Sequence, residues 1–301
     1  MFVYMNGQLV RKNEAVISPF DHGYLYGVGL FETLRVYHGH PFLLTDHIER
    51  LRTGLRLIGI EHDWSLEDWK TAIAELLDAN GYDSAYIRMN VSAGQAELGL
   101  TAEIYKQPTT IIFSKPLSAD EQFPEKEGVV LRTKRNTPEA SFRLKSHHFL
   151  NNVLAKREIG NAPHREGIFL NEQGYVAEGI VSSLFWVKDG VVYTPSLKTG
   201  ILNGVTRQFV CCLLKRKGIE VQEGFFPVEH LYAAEEAFMT NSIQEIVPFS
   251  AIDRRNFLGN KGKITQMLKD EYQTYRETLF TYKELEKGVE IDGQHYCGRK
   301  V

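Results

Sequence analysis

Cysteine is scarce: in 301 residues there are three, Cys211, Cys212 and Cys297, an odd number with no C-x-x-C spacing and two of them adjacent. That argues against a disulfide framework and fits a reducing compartment, so the expected location is cytoplasmic. Excess charge of either sign is also missing. The formal net charge is −3, with no long block of like charge, which leaves no basic footprint for nucleic acid. Apolar runs are short, none nearing the roughly 18 residues of a membrane span. Residues 1–12 lack the basic-then-apolar order of a signal peptide. These absences leave a small-molecule substrate as the expected partner, with no nucleic acid and no membrane.

What is present is ordinary in amount, with 43% hydrophobic and 24% charged residues, and the length suggests roughly two domains. Residues 2–10 alternate about Asn6-Gly7, a tight-hairpin signal because both turn positions need positive φ. Thr45 is placed to cap a helix carrying Ile48, Leu51, Leu55 and Ile58 at helical spacing, with Gly59 past its end. Ser65 and Asp68 resemble a capping box before Leu66, Trp69, Ile73, Leu76 and Leu77, ending at Gly81. Strands are expected at 85–93 and 109–114. The proline- and charge-rich stretch from Pro116 to Gly128 reads as a linker.

Beyond it, strands are expected near 129–133, 167–171, 180–187 and 191–194, with helices near 145–159 and 205–217. A last helical pattern through Ile264, Met267, Leu268, Tyr272, Tyr275 and Leu279 continues to near Lys287. The expected division is an N-terminal α/β domain at 1–116, a linker at 117–128, a C-terminal cofactor-binding domain at 129–287 and a flexible tail at 288–301. No internal repeat is seen.

Three features carry chemistry. Lys145 lies at a strand-to-helix boundary near Arg143, His147, His148, Phe149 and Leu150; a lysine amine attacks an aldehyde only when neutral, which burial or a nearby cation favours. Glu178, in Val176-Ala177-Glu178-Gly179-Ile180-Val181, is an acid among apolar neighbours, costly to bury without a proton-bearing partner such as a pyridinium nitrogen. Gly204-Val205-Thr206 opens a helix whose free N–H groups suit a phosphate, with Arg50 and the hydroxyls near Asn241 and Ser242 as further donors. Taken singly, each also reads as a solvated lysine, a surface acid or a helix cap. Together they describe a site for pyridoxal 5′-phosphate.

The pieces in order resemble the fold-type IV pyridoxal-phosphate enzymes, the family of branched-chain aminotransferase, D-amino-acid aminotransferase and 4-amino-4-deoxychorismate lyase. The likeness spans about Tyr4 to Pro248. It rests on Tyr26-Gly27-Val28-Gly29-Leu30-Phe31-Glu32-Thr33-Leu34-Arg35, His47-Ile48-Glu49-Arg50-Leu51, Lys145 with Asn152-Val153-Leu154-Ala155-Lys156, Glu178-Gly179, Gly204-Val205-Thr206-Arg207 and Thr240-Asn241-Ser242. The resemblance implies an α/β (α+β) fold of two domains, the smaller N-terminal and the larger C-terminal with a barrel-like sheet. It implies a homodimer with the cofactor between the domains. It further implies that Lys145 forms the Schiff base and moves protons, that Glu178 pairs with the pyridine nitrogen, and that Arg50, Val205, Thr206, Asn241 and Ser242 hold the phosphate end.

Within the family the chain most resembles the bacterial lyases, through Phe31 to Arg35, Arg135-Asn136-Thr137-Pro138-Glu139 and Ser141-Phe142-Arg143-Leu144-Lys145-Ser146-His147-His148. The Arg-x-His clamp of D-amino-acid aminotransferases is missing from Met89-Asn90-Val91-Ser92. Branched-chain enzymes carry aspartate, glycine and tyrosine where Val28, Thr33 and Leu150 stand, although Tyr86-Ile87-Arg88 looks like their strand. The implied reaction releases pyruvate and 4-aminobenzoate, a step of folate biosynthesis. Arg88 and Arg143 are candidates for the substrate carboxylates and Thr33 for a hydroxyl near the leaving group. No metal site is expected, since His147 and His148 have no supporting ligand. An aminotransferase acting on branched-chain or D-amino acids with 2-oxoglutarate is the first alternative; a non-catalytic cofactor-binding protein is the second.

Overall fold

A computed structural model describes residues 1–285 and holds two sheets. The tail expected at 288–301 and Cys297 lie outside the described residues. The first sheet begins with the hairpin β1 (Phe2–Met5) and β2 (Gln8–Arg11), turned by Asn6 at φ 48° and Gly7 at φ 88°. Then come α1 (His22–Tyr26), β3 (Gly29–Tyr37), β4 (His40–Pro41), α2 (Leu44–Leu57), α3 (Leu66–Asn80), β5 (Ala85–Ser92) and β6 (Thr109–Pro116). Strand order is β2-β1-β6-β5-β3-β4.

Alternation decides the two faces of this sheet. Leu30, Leu34 and Val36 of β3 join Ile87, Met89 and Val91 of β5 in a core sealed by Trp69, Ile73 and Leu76 of α3. Full burial of such side chains contributes about 1.5–3 kcal/mol each. The capping box is present, with Ser65 Oγ accepting from Asp68 N and Asp68 Oδ2 from Ser65 N. Phe31, Thr33 and Arg35 point to the opposite face; their register partners Asn90, Arg88 and Tyr86 accompany them.

The second sheet is built from β7 (Lys126–Val130), α4 (Leu150–Ile159), β8 (Arg165–Leu170), β9 (Val176–Gly179), β10 (Ser183–Lys188), β11 (Val191–Pro195), α5 (Val205–Arg216), β12 (Val221–Gly224), α6 (Val228–Tyr232), β13 (Glu236–Asn241), β14 (Glu245–Ile252) and β15 (Arg255–Asn256), closed by α7 (Lys263–Tyr275). Its main path runs β12-β11-β10-β13-β14-β7-β8-β9 and curls until β9 lies beside β10. Leu184, Trp186, Ala237 and Met239 fill the inside of the curl. Phe185, Val187 and Phe238 face outward beneath Phe209 and Leu213 of α5 and Leu268 and Tyr272 of α7. Burial on both faces explains why these strands read as continuous apolar runs.

Several expectations are corrected. β7 begins at Lys126, so residues 126–128 of the stretch read as linker already pair in the second sheet. The strand expected from 180 begins only at Ser183: residues 180–182 form a turn after β9, where Gly179 N donates to Ser182 O at 2.8 Å. Thr45 is not a cap. The N-cap of α2 is Leu43, without a side-chain cap, because the returning chain supplies acceptors: Leu43 N and Thr45 N donate to the carbonyls of Leu279 and Phe280 at 3.1 and 3.0 Å. The last helix stops at Tyr275 for the same reason. Asp46 accepts from Thr281 Oγ1 at 2.8 Å and Tyr282 N at 2.9 Å, pulling residues 279–282 out of helical register and across α2.

The helix expected from Lys145 starts at Leu150. Residues 145–147 are extended and bridge to β3, through Phe31 N to Lys145 O at 2.9 Å and His147 N to Gly29 O at 3.0 Å. The glycines of the Tyr26 to Gly29 motif make room for this bridge. A Cβ on Gly29 would lie 2.5 Å from the His147 ring, and one on Gly27, at φ 71°, would lie 2.4 Å from that of His148.

Candidate active site

A cavity of about 350 Å³ lies between the two sheets, and Thr33, Arg88, Arg143, Lys145, Glu178 and Thr206 are among its lining. β3 and β5 supply one wall, the Lys145 bridge the floor, and α5 with the end of β13 the other wall. Phe31, inserted from β3, carries two cations on its ring: the Lys145 amine 4.5 Å and the Arg88 guanidinium 3.7 Å from the centroid. Burial pulls the Lys145 amine down to about 8, and Arg50 and Arg88 act in the same direction against Glu32 and Glu178. Its side chain nevertheless retains access to the cleft. A near-neutral amine facing a cavity is what nucleophilic attack on a carbonyl requires.

Glu178 is buried at the end of β9 with both carboxylate oxygens engaged. Oε1 accepts from Arg135 Nε at 2.7 Å and Oε2 from Leu202 N at 3.0 Å. Arg135 is itself positioned by Asn151 Oδ1 at 2.7 Å.

At the far end of the cavity α5 begins after Gly204, with no side chain capping its N–H groups. The Val205 side chain is packed in the core, so what it offers the cleft is backbone. A hydrogen-bonded chain surrounds this helix end. Thr206 Oγ1 lies 3.1 Å from Ser242 Oγ, which lies 3.2 Å from His47 Nε2. His47 Nδ1 meets Glu32 Oε2 at 2.7 Å. Arg50 clasps both Glu32 oxygens at 2.7 and 2.6 Å and donates to Asn203 O at 2.7 Å. Burial alone would raise the Glu32 carboxyl, yet Arg50 and His47 overcome it and hold it at about 2. Thr240 Oγ1 is buried here without a hydrogen-bond partner among the described residues.

The cavity thus gathers every residue read from the sequence as a site residue, although not in equal condition. Asn241 uses its side-chain oxygen on Ile243 N and Gln244 N, at 3.0 and 2.7 Å, and so holds the turn that presents Ser242. Arg143 is buried and committed to the Gly200 and Asn136 carbonyls, with its Nε 3.7 Å from Glu178. Arg88 has only Asn90 Oδ1 at 3.2 Å as a hydrogen-bond acceptor, and no ion pair engages it among the described residues. Thr33 is half-buried beside it. Three residues given no role from sequence complete the site: Glu32, His47 and Arg135. Glu32 had a signal, an acid on the apolar face of a strand; Arg135 had none, because its partner lies 43 residues away.

His147 and His148 pack against the Tyr26 to Gly29 turn, and His148 also lines the cavity. The His148 ring reaches Tyr26 O at 3.0 Å, and His147 lies against Gly29 and near the Phe31 ring. Among the described residues no cluster of metal-binding side chains is found, and no helix is long and apolar enough to cross a membrane.

The amino-transferase class IV family model matches residues 29–252. The aminodeoxychorismate lyase of Bacillus subtilis is 48% identical over 273 residues, covering 90% of this chain and 93% of that protein. The D-alanine aminotransferase of Bacillus licheniformis is 31% identical, covering 91% and 96%. Among solved structures, the branched-chain aminotransferase of Thermoproteus uzoniensis with norvaline aligns with a TM-score of 0.82 at 31% identity, over 91% of this chain and 93% of that one.

Proposed function

The chain belongs to the amino-transferase class IV family, and we propose that within it the protein is a pyridoxal-5′-phosphate-dependent lyase converting 4-amino-4-deoxychorismate to 4-aminobenzoate and pyruvate. The observation that carries the choice of reaction is the extent of likeness to the Bacillus subtilis lyase. The cofactor fits what the cleft leaves open. Among the described residues, Thr240 Oγ1 is an unpartnered donor at the wall and the α5 amides have no side-chain cap, while Lys145 presents a low-pKa amine.

Lys145 would bind the cofactor aldehyde, Glu178 the pyridine nitrogen, and Arg50, Val205 N, Thr206 and Ser242 the phosphate, with Asn241 shaping that end. When bound, pyridoxal phosphate supplies an electron sink for the bond-breaking step. The protein's own work is to place and move protons. Lys145 would take the proton from the amine-bearing carbon of the substrate and return it to the oxygen departing from the adjacent carbon, so that pyruvate leaves as its enol and the ring becomes aromatic. A positioned general base contributes about 10²- to 10⁴-fold. Arg88, without an acidic partner among the described residues and steadied on Phe31, is the cation for a substrate carboxylate, with Thr33 next to it; Arg143 is held too firmly by carbonyls to serve as well.

Location in the cytoplasm, a place in folate biosynthesis and a homodimer belong to the same proposal. Leu150, Val153 and Leu154 of α4 are 68%, 42% and 46% exposed at helical spacing beside the cleft, an apolar stripe suited to a second copy. A division into an N-terminal domain at 1–116 and a second domain beginning at Lys126 belongs to it too, supported by two sheets that share no strand.

The test is production of 4-aminobenzoate and pyruvate from aminodeoxychorismate, run beside leucine or D-alanine with 2-oxoglutarate. Rapid amino transfer with no 4-aminobenzoate formed would instead establish the aminotransferase reading.

A further inference from the structure

His47 is 1% exposed and links Glu32 to the hydroxyl pair at the start of α5. One ring nitrogen meets Glu32 and the other meets Ser242, which in turn meets Thr206 at the start of α5. Counting hydrogens along this chain gives two arrangements. With a neutral ring, Nδ1–H donates to Glu32 and Nε2 must accept, so the Ser242 hydroxyl points at His47 and Thr206 fills the vacated Ser242 lone pair. Both hydroxyl hydrogens are then directed into the protein. With a protonated ring, Nε2–H donates to Ser242 Oγ, and one hydroxyl hydrogen is released toward the cavity while the other keeps the Ser242–Thr206 bond.

We propose that His47 is a positioning residue that takes up a proton from solvent as a phosphate dianion docks at the α5 N-terminus, thereby freeing one hydroxyl hydrogen of the Ser242–Thr206 pair for the phosphate. The inference rests on the reading that phosphate binds there. The charged groups acting on His47 are Glu32 from β3, Arg50 from its own helix α2 and Lys145 from the bridged segment. Burial, Arg50 and Lys145 all disfavour the imidazolium before phosphate arrives, while Glu32 favours it. Two negative charges arriving near two cations remove much of that opposition, so binding and protonation help each other by linkage.

The experiment is calorimetric titration of inorganic phosphate into the full-length, cofactor-free protein at pH 8, in buffers of different ionisation enthalpy. The expected result is uptake of about one proton per phosphate bound, and a dissociation constant rising about tenfold per pH unit between the free and bound His47 midpoints. His47→Gln, which retains hydrogen bonding and cannot titrate, should lose both effects while still binding. Lys145→Met should retain the uptake. Binding by the wild-type protein with no proton uptake overturns the proposal, as does uptake that survives His47→Gln or disappears with Lys145→Met. No phosphate binding at all would instead remove the phosphate site on which the proposal stands. Because the wild-type measurement can fail without any variant, a misfolded substitution leaves the test intact.

Discussion

The Glu178 carboxylate is held by the Arg135 guanidinium, Oε1 to Nε at 2.7 Å, and both residues are buried. The second carboxylate oxygen has the Leu202 N–H, so the protein fixes this acid from two sides and presents it to the cleft in a single orientation. Arg135→Leu removes the nearer of the two guanidinium groups beside a buried carboxylate. Loss of such a partner costs about 3 kcal/mol, which a urea titration of the cofactor-free protein should register as a lower midpoint. Arg135→Leu combined with Glu178→Leu should lose less than the two single losses added. Strict additivity would show that the pair does not act as a unit.

Lys145 has its amine pulled down to about 8 by burial, with Arg50 and Arg88 assisting. The neutral, reactive form therefore grows as pH rises through that value. Capture of the cofactor aldehyde, trapped with borohydride, should accelerate with pH up to a midpoint near 8 and level off above it. Lys145→Ala should abolish turnover and leave phosphate affinity largely intact. Unchanged turnover in that variant would assign the chemistry to another lysine.

Arg88 rests on the face of Phe31 with no acidic partner among the described residues. Removing a cation that pairs with a carboxylate forfeits about 1.5–3 kcal/mol, so Arg88→Ala should lower kcat/KM for aminodeoxychorismate by about 10- to 100-fold. Arg88→Lys should recover little, since an ammonium cannot grip a carboxylate bidentately. The thermal midpoint of the free protein should hardly change. A stability loss with normal kinetics would make Arg88 a structural residue.

Glu32 is held at about 2 because Arg50 and His47 outweigh its burial. A carboxyl whose folded pKa is depressed stabilises the fold above its unfolded pKa, and that contribution disappears as pH falls toward the folded value. Glu32→Gln should therefore destabilise the protein at neutral pH by about 3 kcal/mol and by progressively less as pH falls from about 4.5 toward 2. Denaturant midpoints across that range check the sign. A constant difference would place the effect in packing rather than charge.

Much of this was readable along the chain because local physics sufficed. Asn6-Gly7 turns the hairpin through its own backbone preference, and Ser65 with Asp68 starts α3 by bonding to each other. Where a partner came from afar the reading failed. Thr45 carries a capping hydroxyl, but residues 279 and 280 already supply the acceptors its helix needs. Lys145 precedes a helical pattern, yet pairing with β3 holds it extended until Leu150.

The sequence by itself determined which side chains could do chemistry: an amine, an acid and a glycine-led helix start, in the order of one family. Tertiary structure alone decided their condition. Arg143 and Arg88 are the same residue in composition, but Arg143 is tied to carbonyls while Arg88 is left facing the cleft. Glu32 became a charged anchor only because α2 lays His47 and Arg50 across its strand. The physical reason is that pKa, burial and hydrogen-bond partners are properties of the space around a side chain, and that space is set by residues far away along the chain.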